Sequence, residues 1–448
     1  MKKSLIYSGI ILFFLAAVGF IIIRQNRKTE EKSARLYDLQ PRKNISHQHG
    51  EWVETRTKAT MLMEALRKNP ADIKSSIAMA ALFLQEARIT GNYVYYDKAA
   101  LRYVDNVLAQ DSSNFDALTL KAFIYTSQHH FDQGLIIAEK ARQKNPYNSF
   151  VYGMLVDGNV EMGNYSLAVE NSDKMVSMRP DLRSYSRISY LREIHGDLPG
   201  AIEAMKLAVE AGFPGDEATE WSRVQLAKLF EHTGDLKNAE MHYLIALEER
   251  PGYAYALSGL ARIAADKKDY NSAIKYLQQA DSLVTDYSFK EELVDVYYLS
   301  GEKNKAKQLA QQVIDELTKV AVTGDKDEEV GHYADGELAN AYLKVENVDL
   351  ALKHALLEYR RRPDNIQVNE MMAWVHYKKG NYKEALPFMQ TALKTNCKNP
   401  ELLCKAGLVF LKNNDSVKAR TLLAEALVND PLIPGLLKAE AKAAIATL

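Results

Sequence analysis

Two patterns of apolar residues divide the chain. The first is a run from Leu5 to Ile23, interrupted only by Tyr7, Ser8 and two glycines, behind the short basic start of residues 1–4. At about 1.5 Å per residue, a helix of that length crosses the roughly 30 Å core of a bilayer. Residues 5–23 are therefore expected to form one transmembrane helix. A cleaved signal peptide needs small residues at its end, and Ala17-Val18-Gly19 offers them, but Phe20-Ile21-Ile22-Ile23 carries the apolar run past that point. The second pattern is a ladder of small residues: Ala100, Gly134, Ala168, Ala201, Ala239, Ala273, Ala306, Ala351, Ala385 and Ala419. Nearly all of its steps are 33 or 34 residues long, which marks an internal repeat.

Other positions keep step with the ladder. Seven residues after the rungs stand Ala141, Ala208, Ala246, Ala280, Ala392 and Ala426, and twelve after them Pro146, Pro180, Pro251, Pro363 and Pro431. Five before them stand Gly163, Gly196, Gly234, Gly301 and Gly380, and nine before them Tyr125, Phe230, Tyr297, Tyr342 and Phe410. Small residues let two helix backbones approach. Glycine takes the turn between helices because it tolerates positive φ. Proline ends the second helix, since it has no N–H to donate and restricts the residue before it. The unit is thus a pair of helices, and the chain reads as about ten of them.

This spacing of aromatic, Gly, Ala and Pro resembles the tetratricopeptide repeat (TPR), and Gly380-Asn381-Tyr382-Lys383-Glu384-Ala385-Leu386 nearly reproduces its turn and second-helix start. The resemblance covers roughly residues 71–431, and the segments Arg179–Ala280 and Gly331–Pro431 resemble a type recurring in bacterial proteins. It implies an all-α solenoid of about ten helix-turn-helix repeats, preceded here by the transmembrane helix. Such arrays serve many unrelated systems, so the fold does not name the function.

The expected organisation is then a basic start (1–4), the membrane helix (5–23) and a polar tether (24–50). An N-terminal array (51–313), a helix extension with an acidic loop (314–330), C-terminal repeats (331–431) and a capping helix (432–448) follow. The loop is placed around Thr323-Gly324-Asp325-Lys326-Asp327 because the step from Ala306 to Ala351 is eleven residues too long. Lys and Arg are more numerous after the apolar run than before it, which leans toward a body on the cytoplasmic side of a bacterial inner membrane.

Composition narrows the chemistry. A net charge of -1 without a long block of one sign argues against a nucleic-acid surface. Arg360-Arg361-Arg362 ends a predicted helix, where cations suit the dipole. Cys397 and Cys404 supply neither a disulfide framework nor a zinc ligand set, and the His47-x-His49 pair lacks partner ligands. No phosphate loop, nucleophile elbow or His-Glu-x-x-His helix occurs, and the ten histidines are scattered, several in inter-helix turns such as His129, His130, His195 and His232. No catalytic residue, cofactor or metal is expected.

What remains is a concave surface lined by the first helix of each unit. Projecting the register places Phe123, Phe150, Arg183, Arg187, Tyr190, Trp221, Lys228, Tyr255, Arg262, Tyr298, Tyr333 and Trp374 on it, with Asp295, Asn340 and Lys378 as polar companions. Aromatics and Arg dominate binding hot spots. Arg183 and Arg187 match one part of a carboxylate clamp known in TPR proteins, but Thr119, Phe123 and Met154 stand where its other cation and amides would be. The sequence reads as a non-enzymatic, membrane-tethered scaffold that binds a protein or peptide. An exported binder of a small ligand or glycan is the alternative.

Overall fold

The computed structural model describes residues 37–43, 49–326, 331–428 and 433–448. Twenty-two helices follow one another, with no strand among the described residues. A first helix, α1 (His49–Lys68), precedes ten helix pairs. Repeats 1 to 4 are α2 (Ile73–Thr90) with α3 (Tyr93–Gln110), α4 (Phe115–Ser127) with α5 (Phe131–Lys144), α6 (Ser149–Glu161) with α7 (Tyr165–Met178), and α8 (Leu182–Ile194) with α9 (Leu198–Glu210). Repeats 5 to 7 are α10 (Glu217–His232) with α11 (Leu236–Glu249), α12 (Ala254–Asp266) with α13 (Tyr270–Leu283), and α14 (Tyr287–Leu299) with α15 (Lys303–Lys326). Repeats 8 to 10 are α16 (Asp335–Lys344) with α17 (Val348–Arg361), α18 (Ile366–Lys379) with α19 (Tyr382–Ala392), and α20 (Pro400–Lys412) with α21 (Ser416–Val428). The last helix, α22 (Gly435–Ile445), packs on repeat 10.

The repeat positions explain themselves locally. First helices start behind Asn or Asp caps: Asn114 accepts from the Ala117 amide, and Asp181 forms a reciprocal capping box with Ser184. Second helices start the same way, where Asp197, Asp235, Asp269 and Asn347 accept from the amide three residues on. Just before these caps the backbone turns left-handed, with φ of +76° to +85° at Gly163, Gly196, Gly234, Gly301 and Gly380. His129, Lys268, Glu346 and Asn414 occupy the same turn position with φ of +60° to +66°. The repeat therefore imposes that conformation whatever residue stands there, although it costs a non-glycine roughly 1–2 kcal/mol.

The alanine rungs are fully buried, each at 0% exposure. Gly134 is the exception for a reason, since a Cβ there would lie 2.8 Å from the Thr126 hydroxyl. A second device recurs beside the rungs. The aromatic nine before a rung stacks on the residue three after it: Phe230 on His242, Tyr342 on His354 and His376 on Phe388, each at 5.5 Å. Fully buried side chains such as Leu277 and Met389 fill the space between layers, contributing about 1.5–3 kcal/mol each.

Two expectations are corrected. The single-pass anchor is not supported: among the described residues no helix is long and apolar enough to cross a membrane. Residues 5–23 themselves lie outside the described residues, and the membrane location and sidedness read from them fall with the anchor. The long helix α15 instead carries exposed charge, at Lys303, Lys307, Glu316 and Lys319. The helix extension runs on to Lys326, through part of the stretch expected as loop, and Val313, Ile314, Leu317 and Ala321 form one apolar stripe against α14 and α16. Asp327, Glu328 and Glu329 of the expected acidic loop, and Pro431, also lie outside the described residues. Residues 37–43 lie on the first repeat, where Arg42 is 5% exposed and bonds Glu86, and Tyr95 and Tyr96 reach the carbonyls of Asp38 and Gln40.

The array closes on itself. The turn of each early repeat meets the junction about 200 residues further on. Thr285 donates its amide to the Thr90 carbonyl at 2.9 Å, and Tyr333 donates to the Gln128 carbonyl at 3.2 Å. The Ile366 amide donates to the Tyr165 hydroxyl at 2.8 Å, and Asn365 donates to the Glu161 carbonyl at 3.0 Å. Arg362, the end of the basic run, is held by Glu358 on its own helix and by Glu161 across this seam. Glycines make the approach possible. A Cβ on Gly91, Gly163 or Gly196 would lie 2.3–2.5 Å from the carbonyl oxygen of Thr285, Asp364 or Asn396, whereas Gly301 and Gly380 have nothing within 4 Å.

Gly163→Ala and Gly380→Ala should therefore separate. Both enter a left-handed turn, but only the first must also part the seam. In urea unfolding, Gly163→Ala is expected to cost about 2 kcal/mol more than Gly380→Ala. A second outcome concerns His242, whose burial, with Arg223 and Lys206 nearby, pushes its pKa down to about 4 from 6.5. The unfolded chain then binds that proton first, so stability falls as pH drops from about 6.5 to 4. His242→Phe should keep the stack and lessen the loss of melting temperature between pH 7 and pH 5.

Candidate functional site

The first helices of repeats 1 to 8 face inward and surround a cavity of about 970 Å³. Its wall carries aromatic rings from successive repeats: Phe123 (α4), Tyr190 (α8), Trp221 (α10), Tyr255 (α12) and Tyr287 (α14). Charges of both signs lie between them, including Arg88, Asp157, Arg187, Glu217 and Lys290. The extended part of α15 adds Glu316, Leu317, Lys319 and Val320 to the same wall. The concave surface is thus a lumen that stays open to solvent and is bounded where the seam joins consecutive turns of the superhelix.

The projected groove residues divide by position. Phe123, Arg187, Tyr190, Trp221 and Tyr255 line the lumen together. Trp221 meets Tyr255 edge-on at 5.0 Å, with Arg88 at 5.9 Å and Lys228 at 6.0 Å from its ring. Burial lowers the Lys228 ammonium below its ordinary value, and Arg262 adds to that. Burial raises the Tyr190 and Tyr255 hydroxyls, the latter also beside Asp286. Arg183 lies 5.1 Å over Phe150, while Arg187 forms an ion pair with Asp157 at 2.6 Å and is not a free carboxylate clamp.

Other projected residues belong to the wall. Tyr298 donates to the Lys344 carbonyl, and Lys344 pairs with Asp295 at 2.8 Å. Trp374 stacks on Tyr377 at 4.9 Å under Lys378, which pairs with Glu440, and Asn340 is exposed. Tyr333 is in the seam itself, stacked on His130 at 4.0 Å and covered by Arg361 at 4.3 Å. Burial pushes both cysteine thiols up to about 11, as small apolar residues would behave.

Arg262 anchors a partly buried network. It reaches the Tyr243 hydroxyl at 3.0 Å, Glu231 at 3.3 Å and Glu292 at 3.2 Å, and Tyr243 in turn donates to Glu231 at 2.9 Å. Burial alone would lower the guanidinium pKa, but Glu231, Tyr243 and Glu292 hold it well above its ordinary value.

One constellation was not visible in the sequence. His129, in the turn of repeat 2, meets His332 and Glu337 of repeat 8, with one potential donor atom of each within 4.8 Å of the others. Glu337 Oε1 lies 3.5 Å from His129 Nδ1 and 3.3 Å from His332 Nε2, and accepts from the Tyr287 hydroxyl at 3.2 Å. Burial, with His332 adjacent, pushes His129 down to about 4. Burial would raise Glu337, but the hydrogen bond from His332 and the nearby histidines hold it at about 2. Behind the turn, Asp97 accepts from the side chains of Ser127 and Gln128, and burial pushes it up to about 6. His129 reads in sequence as a solvated turn histidine; its partners are some 200 residues away, and no local spacing announces them.

Residues 224–287 and 370–434 match the family model described as tetratricopeptide repeat, the parts of the chain that hold repeats 5–6 and 9–10. With ten helix pairs of the same turn and rung geometry, the chain is a tetratricopeptide-repeat protein. No curated protein matches its sequence. Among solved structures it is similar to the human IFIT1 dimer with PPP-AAAA, at 15% identity over 79% of this chain and 81% of that one, with a TM-score of 0.47. It is similar also to yeast Tom70, at 13% identity over 90% and 95%, with a TM-score of 0.38. The APC/C hetero-tetramer Cut9-Hcn1 gives 15% identity and a TM-score of 0.39; 79% of this chain is covered, and the chain spans only 58% of that one.

Arg262→Met should leave the 1%-exposed Glu231 without its cation. The expected loss is about 3–5 kcal/mol in chemical denaturation. The double variant Glu231→Gln with Arg262→Met should recover part of it, because no buried carboxylate is then left unpaired.

Proposed function

We propose that this protein is a non-enzymatic scaffold that holds a segment of a partner polypeptide inside the lumen. The observation that supports this reading is the set of Phe123, Tyr190, Trp221 and Tyr255, rings from repeats 2, 4, 5 and 6 on one lumen wall, with charges of both signs between them. An extended polypeptide advances about 3.3 Å per residue and presents alternating apolar and charged groups, so it can meet successive repeats in turn. A compact ligand would touch only part of a wall built from eight repeats. At about 970 Å³, the cavity also stands at the top of the range that small-molecule sites occupy. Aromatic rings in a desolvated centre carry most of such binding energy.

Site-specific photo-crosslinking from Tyr190, in the lumen, and from Leu207, 42% exposed on α9, tests the proposal in cells that make the full chain. A discrete polypeptide adduct is expected from Tyr190 and not from Leu207. Trp221→Ala with Tyr255→Ala should weaken capture of that polypeptide at least about 30-fold. Co-purification of a glycan or small molecule that fills the lumen, with no polypeptide adduct at Tyr190, would establish the alternative reading instead.

A further inference from the structure

The seam holds a set of donors that neither the repeat fold nor the scaffold reading uses. We propose that His129, His332 and Glu337 bind a divalent transition-metal ion of the zinc type, which clasps repeat 2 to repeat 8. Two imidazoles and one carboxylate are a donor set that zinc accepts in protein sites, with the remaining position left to water. The distances fit. Tetrahedral coordination at about 2.0–2.1 Å sets neighbouring donors roughly 3.3–3.4 Å apart. Glu337 Oε1 stands 3.5 Å from His129 Nδ1 and 3.3 Å from His332 Nε2. The two imidazole rings lie 4.3 Å apart between centroids, and one donor atom of each of the three residues lies within 4.8 Å of the others, so that a small closing of the pair brings both histidines onto one ion.

Proton counting supports a cation over a hydrogen-bonded hub. His129 Nδ1 faces two oxygens, the Tyr333 carbonyl at 3.2 Å and Glu337 Oε1 at 3.5 Å, and one N–H cannot serve both well. Three groups converge on the single oxygen Oε1: His129, His332 and the Tyr287 hydroxyl. An ion held by His129 Nδ1, His332 and Oε1 takes the Nδ1 lone pair, turns the Tyr333 carbonyl from an N–H acceptor to an oxygen facing the ion and lumenal water, and leaves the Tyr287 hydroxyl as an outer support for the carboxylate. The scaffold around the set is built. Glu337 sits in the first turn of α16, and His129 is carried by a turn that Asp97 fixes through Ser127 and Gln128. The Gln128 carbonyl in turn accepts the Tyr333 amide across the seam. All three donors line the lumen, so the fourth position opens to lumenal water.

Binding at this place would join residues 203 positions apart, counted from His129 to His332, and so act on the closure of the array rather than on one repeat. The test uses the full chain stripped with a chelator and titrated with Zn²⁺ by calorimetry. One equivalent should bind, and Glu337→Gln and His332→Gln should each weaken it at least about 100-fold, beyond the loss typical of an outer-shell change. His195→Gln, at another turn histidine, should bind as the parent does. Co²⁺ in place of Zn²⁺ should give the visible d–d absorption of a low-coordinate site, absent in Glu337→Gln. Hydrogen exchange should show the Tyr333 amide better protected with Zn²⁺ than without. Circular dichroism checks that each variant keeps its helices. Binding below one equivalent in the parent would overturn the proposal, as would affinity and Tyr333 protection unchanged in both folded variants, and the cluster would then be a hydrogen-bonded hub alone. Because these readouts need no polypeptide partner, their failure leaves the lumenal scaffold reading separately testable.

Discussion

One backbone can lie against another only where no side chain stands between them, and that requirement governs how this chain closes. At Gly91, Gly163 and Gly196 the carbonyl oxygen of a residue about 200 positions later occupies the place a Cβ would take. The left-handed turn of each repeat points its backbone outward at the right place, and glycine removes the last obstacle. From that contact follow the hydrogen bonds of Thr285 and Ile366 and the cross-seam pairing of Arg362, while at repeat 2 the Tyr333 amide reaches the Gln128 carbonyl beside His129. Without it, the inward face of the first helices would be an open groove.

Enclosure changes the chemistry of the inward face. Charges on an open concave surface are screened by water and contribute little. Here Lys228 lies 6.0 Å from the Trp221 ring and Arg262 6.0 Å from the Tyr243 ring, and their proton affinities move in opposite directions. Burial lowers Lys228, with Arg262 adding to it, whereas Glu231, Tyr243 and Glu292 raise Arg262 against the burial that would lower it. The two lie on neighbouring repeats, so the wall alternates between a cation that is weakly held and one that is locked in place.

Much of the fold was legible in the sequence because the repeat writes each local decision many times over. The rungs, turn glycines and terminal prolines each have a single physical cause, and ten repetitions make the period visible. Repetition also hid what differs between repeats. Gly163 and Gly380 look alike in sequence, yet one meets Asp364 and the other meets nothing within 4 Å. Tyr333 projected to the groove because the register was counted through an irregular step, and the seam claimed it. The Arg360–Arg362 run read as a helix-dipole feature, and its last member turned out to bridge two turns. His129 occupies a glycine position and read as one more solvated turn histidine, since its partners are set by superhelical pitch. Pitch is a sum of small rotations between helices that no single residue encodes. The apolar run at 5–23 pointed to an anchor, which no helix among the described residues supplies.

The seam also alters how the array must fold. Stacked repeats ordinarily touch only their neighbours, so their stability sums along a line and structure can spread from any point. Contacts between residues about 200 apart add a term that no pair of adjacent repeats contains. The entropy of closing so long a loop rises only slowly with its length, but it is spent before any seam contact is made. Topology of that kind raises the contact order, and with it the barrier to completing the native state. The early repeats can therefore assemble locally and fast, while closure waits for repeats 7 to 10. A mutation near residue 364 should then register in the protection of residue 163, a form of cooperativity foreign to an open solenoid.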